Sequence, residues 1–92
     1  MIHFIVHGKQ DTVGVMVADV AKDQKLTGWN MESDETLDTV ARDDIPLGHK
    51  IAMKHIPAGE KVIKYNVPIG NAIGDIPPGR HVHTHNLKSA RW

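Results

Sequence analysis

Short apolar runs recur along the whole chain and are separated by polar residues, glycine and proline. At the start, Ile2, Phe4 and Val6 alternate with other side chains, and this two-residue period predicts a first β-strand. Residues 13–18 are rich in β-branched side chains and predict a second strand paired with the first. A further strand is predicted over residues 36–41, after a turn at residues 33–35.

The second half of the chain carries the turn motif Ile-Pro-x-Gly three times, at residues 45–48, 56–59 and 76–79. Proline has the backbone angle needed at the second position of a β-turn, and glycine tolerates the positive angle that follows. Each copy therefore predicts a turn that leads into a strand. In the third copy we expect Pro78 and Gly79 to form the centre of a type II turn.

These patterns predict a mainly β fold, a compact single domain over residues 1–92 with short strands and tight Pro/Gly turns. At most short helical turns are expected, with residues 47–50 as the candidate. Residues 88–92 are predicted to be a tail that orders only against a partner. A chain of 92 residues buries a small core but does not enclose a deep catalytic cavity alone, so we expect a partner subunit.

Charge is unevenly distributed although the formal net charge is zero. Residues 1–41 contain three Lys and Arg against seven Asp and Glu, and residues 42–92 contain eight against four. Five of the seven histidines also lie in the second part, which favours a small anionic ligand there. The four aromatic residues lie outside any basic run and offer little for bases to stack on, so no nucleic-acid partner is expected.

Composition and hydropathy narrow the class of protein further. The first residues are too few and too polar for a signal peptide, and no apolar run approaches membrane-spanning length. The chain contains no cysteine, which excludes disulfide frameworks, thiolate metal sites and thiol nucleophiles. We therefore expect a cytoplasmic protein without membrane contact, in which any metal chemistry depends on histidine.

Three histidines at alternate positions, His81, His83 and His85, follow the third turn. In an extended strand they project to one face, while Val82 and Thr84 project to the other. Such a row suits a metal site, an anion site or a substrate contact, and the alternative is a histidine-rich strand that faces solvent. Because alternate residues lie about 6 to 7 Å apart, two of them can share one ion. We predict His83 and His85 as metal ligands.

Other candidate residues are polar side chains beside turns. Lys64 precedes a predicted corner at residues 66–70, where a lysine can bind a carboxylate or sulfonate and Tyr65 can orient it. His49 follows a glycine, and Asn86 follows the histidine row. For each of them simple solvent exposure is the alternative. We predict catalytic roles for His83, His85 and Lys64, and substrate-binding roles for His49, Tyr65, His81 and Asn86.

Three segments together resemble the small domain of the altronate and galactarate dehydratase family. They are DIPLGHK at residues 44–50, VIKYxxPIG at residues 62–70 and HVHTHNL at residues 81–87. In that family the domain has a β-clip fold of the SAF type and occurs fused to, or separate from, a much larger catalytic domain. Residues 29–32 and 86–92 are most similar to the alpha subunits of sulfolactate sulfo-lyases, with the small subunits of altronate dehydratases as the alternative.

The resemblance implies a divalent metal, with Fe²⁺ as the expected ion, held mainly at the interface with a large catalytic subunit. It implies β-elimination from a small anionic 2-hydroxy acid, either bisulfite from sulfolactate or water from a sugar acid such as altronate. The chain has no His/carboxylate cluster of convincing spacing, so we expect it to be inactive alone. A higher oligomer is compatible with this expectation. The alternative is a non-catalytic binding or assembly module of such a complex.

Overall fold

The structure is a computed structural model that describes residues 1–89, and all regular secondary structure in them is β. A six-stranded sheet has the order β4-β3-β1-β2-β5-β8, and a three-stranded sheet has the order β6-β7-β9. Strands β1 and β3 are parallel, and the other pairs are antiparallel. The strands are β1 Phe4–Val6, β2 Val13–Met16, β3 Lys25–Asn30, β4 Glu35–Val40, β5 Lys50–Ala52, β6 Lys61–Lys64, β7 Val67–Ala72, β8 His81–Val82 and β9 Leu87–Ser89.

The predicted mainly β architecture is confirmed, and so is the pairing of β2 with β1. All three Ile-Pro-x-Gly copies lead into strands, namely β5, β6 and β8. Residues 47–50, the candidate for a helical turn, instead form part of a β-turn and the start of β5. Within residues 1–89 no helix is long and apolar enough to span a bilayer.

The three turns share one geometry, and it differs in one respect from the prediction. In each copy the carbonyl of the first proline accepts a hydrogen bond from the N–H three residues later, as between Pro46 and His49 at 3.1 Å. This proline is therefore the first residue of the turn, whereas we expected it at the second position in the first two copies. In the third copy the predicted centre, Pro78 and Gly79, is confirmed. The third turn residue has φ of 87°, 84° and 86° at Gly48, Gly59 and Gly79, so all three copies match the type II turn that was predicted for the third.

A fourth turn of the same kind precedes β3, and the sequence analysis missed it. The N–H of Gln24 donates to the carbonyl of Ala21 at 3.1 Å, and Asp23 takes the glycine position with φ of 72°. Aspartate tolerates this left-handed conformation better than most residues because its short side chain hydrogen-bonds locally. The signal in the sequence was the Asp19-Val20 pair, which matches Asp44-Ile45 ahead of the next turn.

Each of the four turns is fastened to a neighbouring chain segment by the same two hydrogen bonds. At the turn of residues 46–49, for example, the N–H of Gly48 donates to the carbonyl of Met16 at 2.9 Å, and the N–H of Met16 donates to the carbonyl of His49 at 2.8 Å. The anchoring residues are all buried, which fixes the direction in which each following strand leaves its turn. These residues are Met16, Ala41, Ala52 and Ala72.

The turns associate in two pairs through isolated β-bridges, Val20 with Ile45 and Ile56 with Ile76. All four bridging side chains are buried. The pairs contribute to two hydrophobic clusters, to which β5 adds Ile51 on one side and Ala52 on the other. Because side chains alternate along a strand, the clusters lie on opposite faces of the six-stranded sheet. The second cluster fills the space between the two sheets.

The first pair of turns is braced on both sides by carboxylates. Asp19 Oδ1 accepts a hydrogen bond from the N–H of Leu47 at 2.8 Å, and Asp44 Oδ1 accepts one from the N–H of Lys22 at 2.8 Å. Each aspartate therefore satisfies a backbone donor of the opposite turn. This reciprocal arrangement requires an N–H at the second position of both turns.

The second pair of turns is braced on one side only. Asp75 Oδ1 accepts a hydrogen bond from the N–H of Ala58 at 2.9 Å. The reciprocal donor would be Pro78, which has no N–H, and His55 stands where the first pair has an aspartate. The imidazole of His55 lies 3.9 Å from Asp75 instead.

The segment after the third Ile-Pro-x-Gly turn corrects the prediction of one extended strand through His85. Strand β8 ends at Val82, His83 lies in a bend and residues 84–86 form a turn. The N–H groups of Asn86 and Leu87 both donate to the carbonyl of His83, at 3.1 and 2.9 Å. Strand β9 then includes residues 88 and 89, which the sequence analysis assigned to a tail, and residues 90–92 lie outside the described residues.

Candidate functional site

Three histidines, one on β8 and two directly beside β5 and β8, converge at one end of the six-stranded sheet. Strands β5 and β8 pair with Ile51 opposite His81, and extending this register places His49 opposite His83. His49 Nδ1 lies 2.9 Å from His81 Nε2. The His83 ring stacks against both neighbours, with centroids 4.7 Å from His49 and 5.4 Å from His81. We call these three residues the histidine cluster.

The histidine cluster can offer one ring nitrogen from each residue, with all three nitrogens within 4.8 Å of one another. Two nitrogens at right angles around an ion about 2.1 Å away lie about 3.0 Å apart. The 2.9 Å between His49 and His81 therefore suits two ligands of one ion as well as the hydrogen bond it forms without one. The His83 nitrogen lies within 4.8 Å of the other two, so the donor set fits a first-row divalent ion with positions left open.

The predicted ligand pair, His83 and His85, is arranged differently from the expectation. His83 converges with His49 and His81, whereas the exposed His85 lies outside this ligand group and its ring contacts that of His81, at 5.6 Å between centroids and a tilt of 51°. The geometry favours His49 and His81 over His85 as partners of His83. The roles assigned to all four residues remain predictions. Because the chain bends at His83, the three histidines of the row do not project from one face of a continuous strand.

Asn86 holds the bend in place. Its Oδ1 accepts a hydrogen bond from the N–H of His83 at 2.9 Å, and its Nδ2 donates to the carbonyl of His81 at 2.9 Å. The Asn86 side-chain amide, which we expected to bind substrate, thus forms hydrogen bonds to the backbone of the residues before and after Val82. This places Asn86 as a residue that orients the histidine cluster, and its predicted contact with substrate stays a prediction.

Asp43 supports the cluster from the other side and was missed in the sequence analysis. Its Oδ2 accepts a hydrogen bond from the N–H of His81 at 2.8 Å and lies 3.2 Å from Nε of Arg80. The only signal in the sequence was an acidic residue directly before the Asp-Ile-Pro motif. Among residues 1–89 the candidate ligand group contains no carboxylate, so further ligands of an ion must come from elsewhere.

Electrostatics favour the neutral form of His81 and His83. The pKa of His81 is lowered by desolvation and by the charges of His49, His83 and His85, although Asp43 opposes this. The pKa of His83 is lowered by desolvation and by His49, Lys50 and His85. Neutral imidazole is the form that binds metal ions, so the lowered pKa values of these two rings favour metal binding near neutral pH.

Lys64 and Tyr65 lie at the β6–β7 hairpin. Lys64 Nζ lies 5.1 Å from the centre of the Tyr65 ring, and this ring contacts His7 at 4.7 Å between centroids. Tyr65 and Asn66 have φ of 54° and 61°, as in a two-residue type I′ turn. The corner predicted over residues 66–70 therefore begins one residue earlier and is tighter.

A buried carboxylate keeps Tyr65 in this unfavourable conformation. Asp11 Oδ1 accepts a hydrogen bond from the N–H of Asn66 at 2.7 Å, and its Oδ2 accepts two more from His7 and Gly8, both at 3.1 Å. A bulky side chain with positive φ costs free energy and persists only where the surroundings enforce it. Asp11 thus ties the tyrosine-bearing hairpin to the loop after β1.

A groove of about 800 Å³ lies away from the histidine cluster. It is lined by basic side chains, among them Lys9, Lys54 and Lys61, together with Glu60 and the Ile-Pro-x-Gly turn at residues 56–59. None of the three clustered histidines lines it. Its open form and mixed polar lining suggest a surface depression, so the candidate chemistry stays with the histidines.

Comparison with known proteins gives a consistent picture. Residues 2–90 match the family model described as the altronate/galactarate dehydratase SAF domain. The chain is 48% identical over 92 residues to the (2R)-sulfolactate sulfo-lyase subunit alpha of Chromohalobacter salexigens, covering 99% of this chain and 98% of that protein. The subunit of that name from Paracoccus pantotrophus is 56% identical over 52 residues, covering 56% of this chain and 78% of that protein.

A longer protein also matches. The altronate dehydratase of Bacillus subtilis is 37% identical over 89 residues, covering 97% of this chain but only 17% of that enzyme. The chain therefore corresponds to one part of the dehydratase and to almost the whole length of the sulfo-lyase subunit from C. salexigens.

Proposed function

We infer that this chain, which belongs to the altronate/galactarate dehydratase SAF domain family, is the small subunit of a metal-dependent lyase that releases bisulfite from sulfolactate. The observation that carries this proposal is the 48% identity over nearly the full length of both chains to a sulfolactate sulfo-lyase alpha subunit. The histidine cluster supports it, because three converging imidazoles near the surface suit a site completed by a second subunit.

The reaction defines what the two subunits must supply. A base removes the proton from the carbon that bears the hydroxyl and carboxylate, the C–S bond breaks, and its electron pair leaves with the sulfur as sulfite. The resulting enol tautomerises to a 2-oxo acid. The charge that develops on the carboxylate side and on the leaving group must be stabilised by fixed positive groups and hydrogen-bond donors.

We propose that His49, His81 and His83 hold a divalent ion, with Fe²⁺ as the expected ion and the remaining ligands from the large subunit and the substrate. When bound, the ion supplies positive charge that stabilises an enediolate. The residues of this chain do the positioning: Asn86 and Asp43 hold the backbone of the two β8-side histidines through hydrogen bonds of 2.8 to 2.9 Å. His85 is left free to contact substrate beside the cluster.

Lys64 and Tyr65 are proposed to act on the anionic groups of the substrate. Lys64 is half-buried at the end of β6, and Tyr65 is exposed at the hairpin tip. An ammonium group attracts a carboxylate or sulfonate, and a phenol donates one directed hydrogen bond. Both side chains belong to this chain, so the proposed active site lies at the interface between the two subunits.

Dehydration of altronate is the second candidate function, and the 37% identity to an altronate dehydratase favours it. The chemistry is the same except that water leaves in place of bisulfite. A third candidate is a module that only assembles or positions the large subunit. In each case we propose a large catalytic subunit as partner, a cytoplasmic location and a complex that can form a higher oligomer.

The test is co-expression of the full chain with its large subunit, followed by assays of bisulfite release from sulfolactate and dehydration of altronate. We expect the pair to release bisulfite and the chain alone to be inactive. His49→Ala, His81→Ala and His83→Ala should each lower kcat/KM and bound Fe²⁺ by at least about 100-fold, since loss of a partner around a metal site alone costs 10- to 100-fold.

The control is His55→Ala, which removes an exposed imidazole outside the cluster. It should leave turnover and metal content unchanged. Full activity in all three cluster variants would show that the chain is an assembly module. Turnover of altronate without release of bisulfite from sulfolactate would instead favour the dehydratase.

A further inference from the structure

The edge of the six-stranded sheet at β4 carries unpaired backbone groups. On the neighbouring strand β3, the N–H and the carbonyl of Thr27 both bond to His3, at 3.0 and 2.8 Å, on the side away from β4. Thr27 lies opposite Asp38, and successive residues of a strand direct their backbone groups to alternate sides. The N–H and carbonyl groups of Thr36 and Asp38 therefore point outward, and within residues 1–89 they form no hydrogen bond.

Two other sheet edges are closed by side chains. On β8, the N–H of His81 donates to Asp43 Oδ2 at 2.8 Å, and its carbonyl accepts a hydrogen bond from Asn86 Nδ2 at 2.9 Å. On β6, the N–H of Ile63 donates to Thr12 Oγ1 at 3.0 Å, and its carbonyl accepts from the N–H of Thr12 at 2.9 Å. Such contacts prevent the addition of a further strand. Strand β4 has no such contact, no proline and no bulge.

The open edge is continuous with the proposed interface around the histidine cluster. The chain that follows β4 runs beside the segment that leads into β8, because the N–H of Arg42 donates to the carbonyl of Gly79 at 2.9 Å and Asp43 binds the N–H of His81. Asp38 lies five positions before Asp43, so at most about 18 Å of chain separates them. A subunit that completes the histidine site can therefore reach β4 as well.

The side chains along this edge define the chemistry of its partner. Residues 31–40 contain no lysine or arginine, and their four acidic side chains are all exposed. Within residues 1–89 none of these carboxylates forms an ion pair. Pairing with a second copy of the same edge would bring two sets of carboxylates together, whereas a strand with basic side chains complements them. The four acids are Glu32, Asp34, Glu35 and Asp38.

We propose that an extended segment of the large subunit, bearing lysine or arginine, adds to β4 as a seventh strand of the sheet. This inference rests on the proposed function, which supplies the partner. The outward backbone groups of Thr36 and Asp38 bond to the added strand, and the carboxylates of Glu35 and Asp38 bind its basic side chains. Because the added strand continues the sheet, it fixes the orientation of the large subunit relative to the histidine cluster.

The first test measures the Kd between the full chain and the large subunit by titration calorimetry. Thr36→Pro removes an N–H that forms no bond within the chain, and its ring blocks an approaching strand, while the hydrogen bonds between β4 and β3 are kept. We expect Kd to rise at least about tenfold. Thr36→Val keeps the N–H and should leave Kd unchanged. An unchanged Kd in Thr36→Pro, with a normal unfolding transition, would overturn the proposal.

Amide hydrogen exchange tests the same contact without a substitution. In the complex the amides of Thr36 and Asp38 should exchange at least tenfold more slowly than in the free chain, whereas Leu37, which already bonds to β3, is the internal control. Equal exchange of the two outward amides in both states would refute strand addition. Protection that is already present in the isolated chain and is lost on dilution would show that a second copy occupies the edge instead.

Charge substitutions test the predicted basic character of the added strand. Glu35→Gln and Asp38→Asn should each raise Kd by about two- to fivefold at low salt and less at high salt. Glu60→Gln is the control, because it changes an exposed carboxylate just before β6. Equal effects in all three variants would contradict a basic partner strand.

These measurements are independent of the assays for the proposed function. If the pair associates with protected Thr36 and Asp38 amides but converts neither sulfolactate nor altronate, the function is wrong and strand addition is supported. If the pair is active while both amides exchange as in the free chain, the function is supported and strand addition is wrong. Failure of the two chains to associate would refute both.

Discussion

The two pairs of turns have the same backbone bridges and different polar braces. In the first pair, bridged by Val20 and Ile45, aspartates on both sides bind the opposite turn. In the second, bridged by Ile56 and Ile76, only one such hydrogen bond forms. The difference follows from two residues of the second pair: Pro78 has no N–H to donate, and His55 replaces the aspartate that would accept it.

This comparison teaches that the turn scaffold depends on buried bridges and anchoring hydrogen bonds more than on the outer carboxylates. All four bridging side chains are buried, and all four turns keep both anchoring hydrogen bonds to a buried neighbour. The braces lie at the surface, where water competes for the same groups. One of them can therefore be lost while the second pair keeps the geometry of the first.

The candidate site draws on one turn of each pair. Gly48 of the first pair leads into His49 and β5, and Gly79 of the second leads through Arg80 into β8. The histidine cluster forms because these two strands are neighbours in the six-stranded sheet. The other two turns lead into β3 and β6, which lie in different sheets and bring no histidines together.

The largest expected difference between equivalent turns is at their glycines. Gly79→Ala should lower the free energy of unfolding by about 3 kcal/mol or more, because it adds the cost of positive φ to a clash of the new Cβ with the carbonyl of Val40. Gly59→Ala should cost about 1 to 2 kcal/mol, since φ is positive there but the space is open. Urea unfolding of both variants measures the difference, and equal losses would contradict it.

A smaller difference is expected between the two kinds of brace. Asp44→Ala removes the acceptor for the N–H of Lys22 and should cost about 1 kcal/mol. His55→Ala changes the equivalent position of the second pair, where no hydrogen bond to the opposite turn exists, and should leave stability within about 0.5 kcal/mol of wild type. Asp44→Asn keeps an acceptor and serves as the control. A similar loss in Asp44→Ala and His55→Ala would show that the braces are equivalent after all.

The smallest effect is a dependence of stability on pH at the histidine cluster. The pKa values of His81 and His83 are lowered in the folded protein from the usual 6.5, so the unfolded chain binds more protons below that pH. Their contribution to stability is therefore present above pH 6.5 and is lost as the pH falls towards the lowered values. Urea unfolding at several pH values should show this slope reduced in His81→Asn.

The matched replacement for this measurement is His55→Asn, on the second turn pair. It leaves the cluster intact and should retain more of the acid-dependent loss than His81→Asn does. If both variants kept the full slope, the acid sensitivity would have to come from other groups.

The short-range features were readable from the residues. A type II turn is specified within four residues, and the three Ile-Pro-x-Gly copies were placed correctly, each with the strand that follows. The turn with Asp23 was not predicted, because it lacks the Ile-Pro-x-Gly motif and aspartate is a weaker sign of positive φ than glycine. The membership of the SAF domain family was likewise predicted from motifs and is confirmed by the match over residues 2–90.

The sequence by itself thus determined the fold class, the turns, the family and the types of side chain available for chemistry. Only the tertiary structure decided which of them meet. Pairing of β5 with β8 brings His49 to within 2.9 Å of a residue 32 positions away, and the Asn86 hydrogen bonds turn the chain before His85 can join the row. The physical reason is that a turn depends on the conformational preferences of adjacent residues, whereas strand pairing depends on burying apolar side chains from distant segments in a common core.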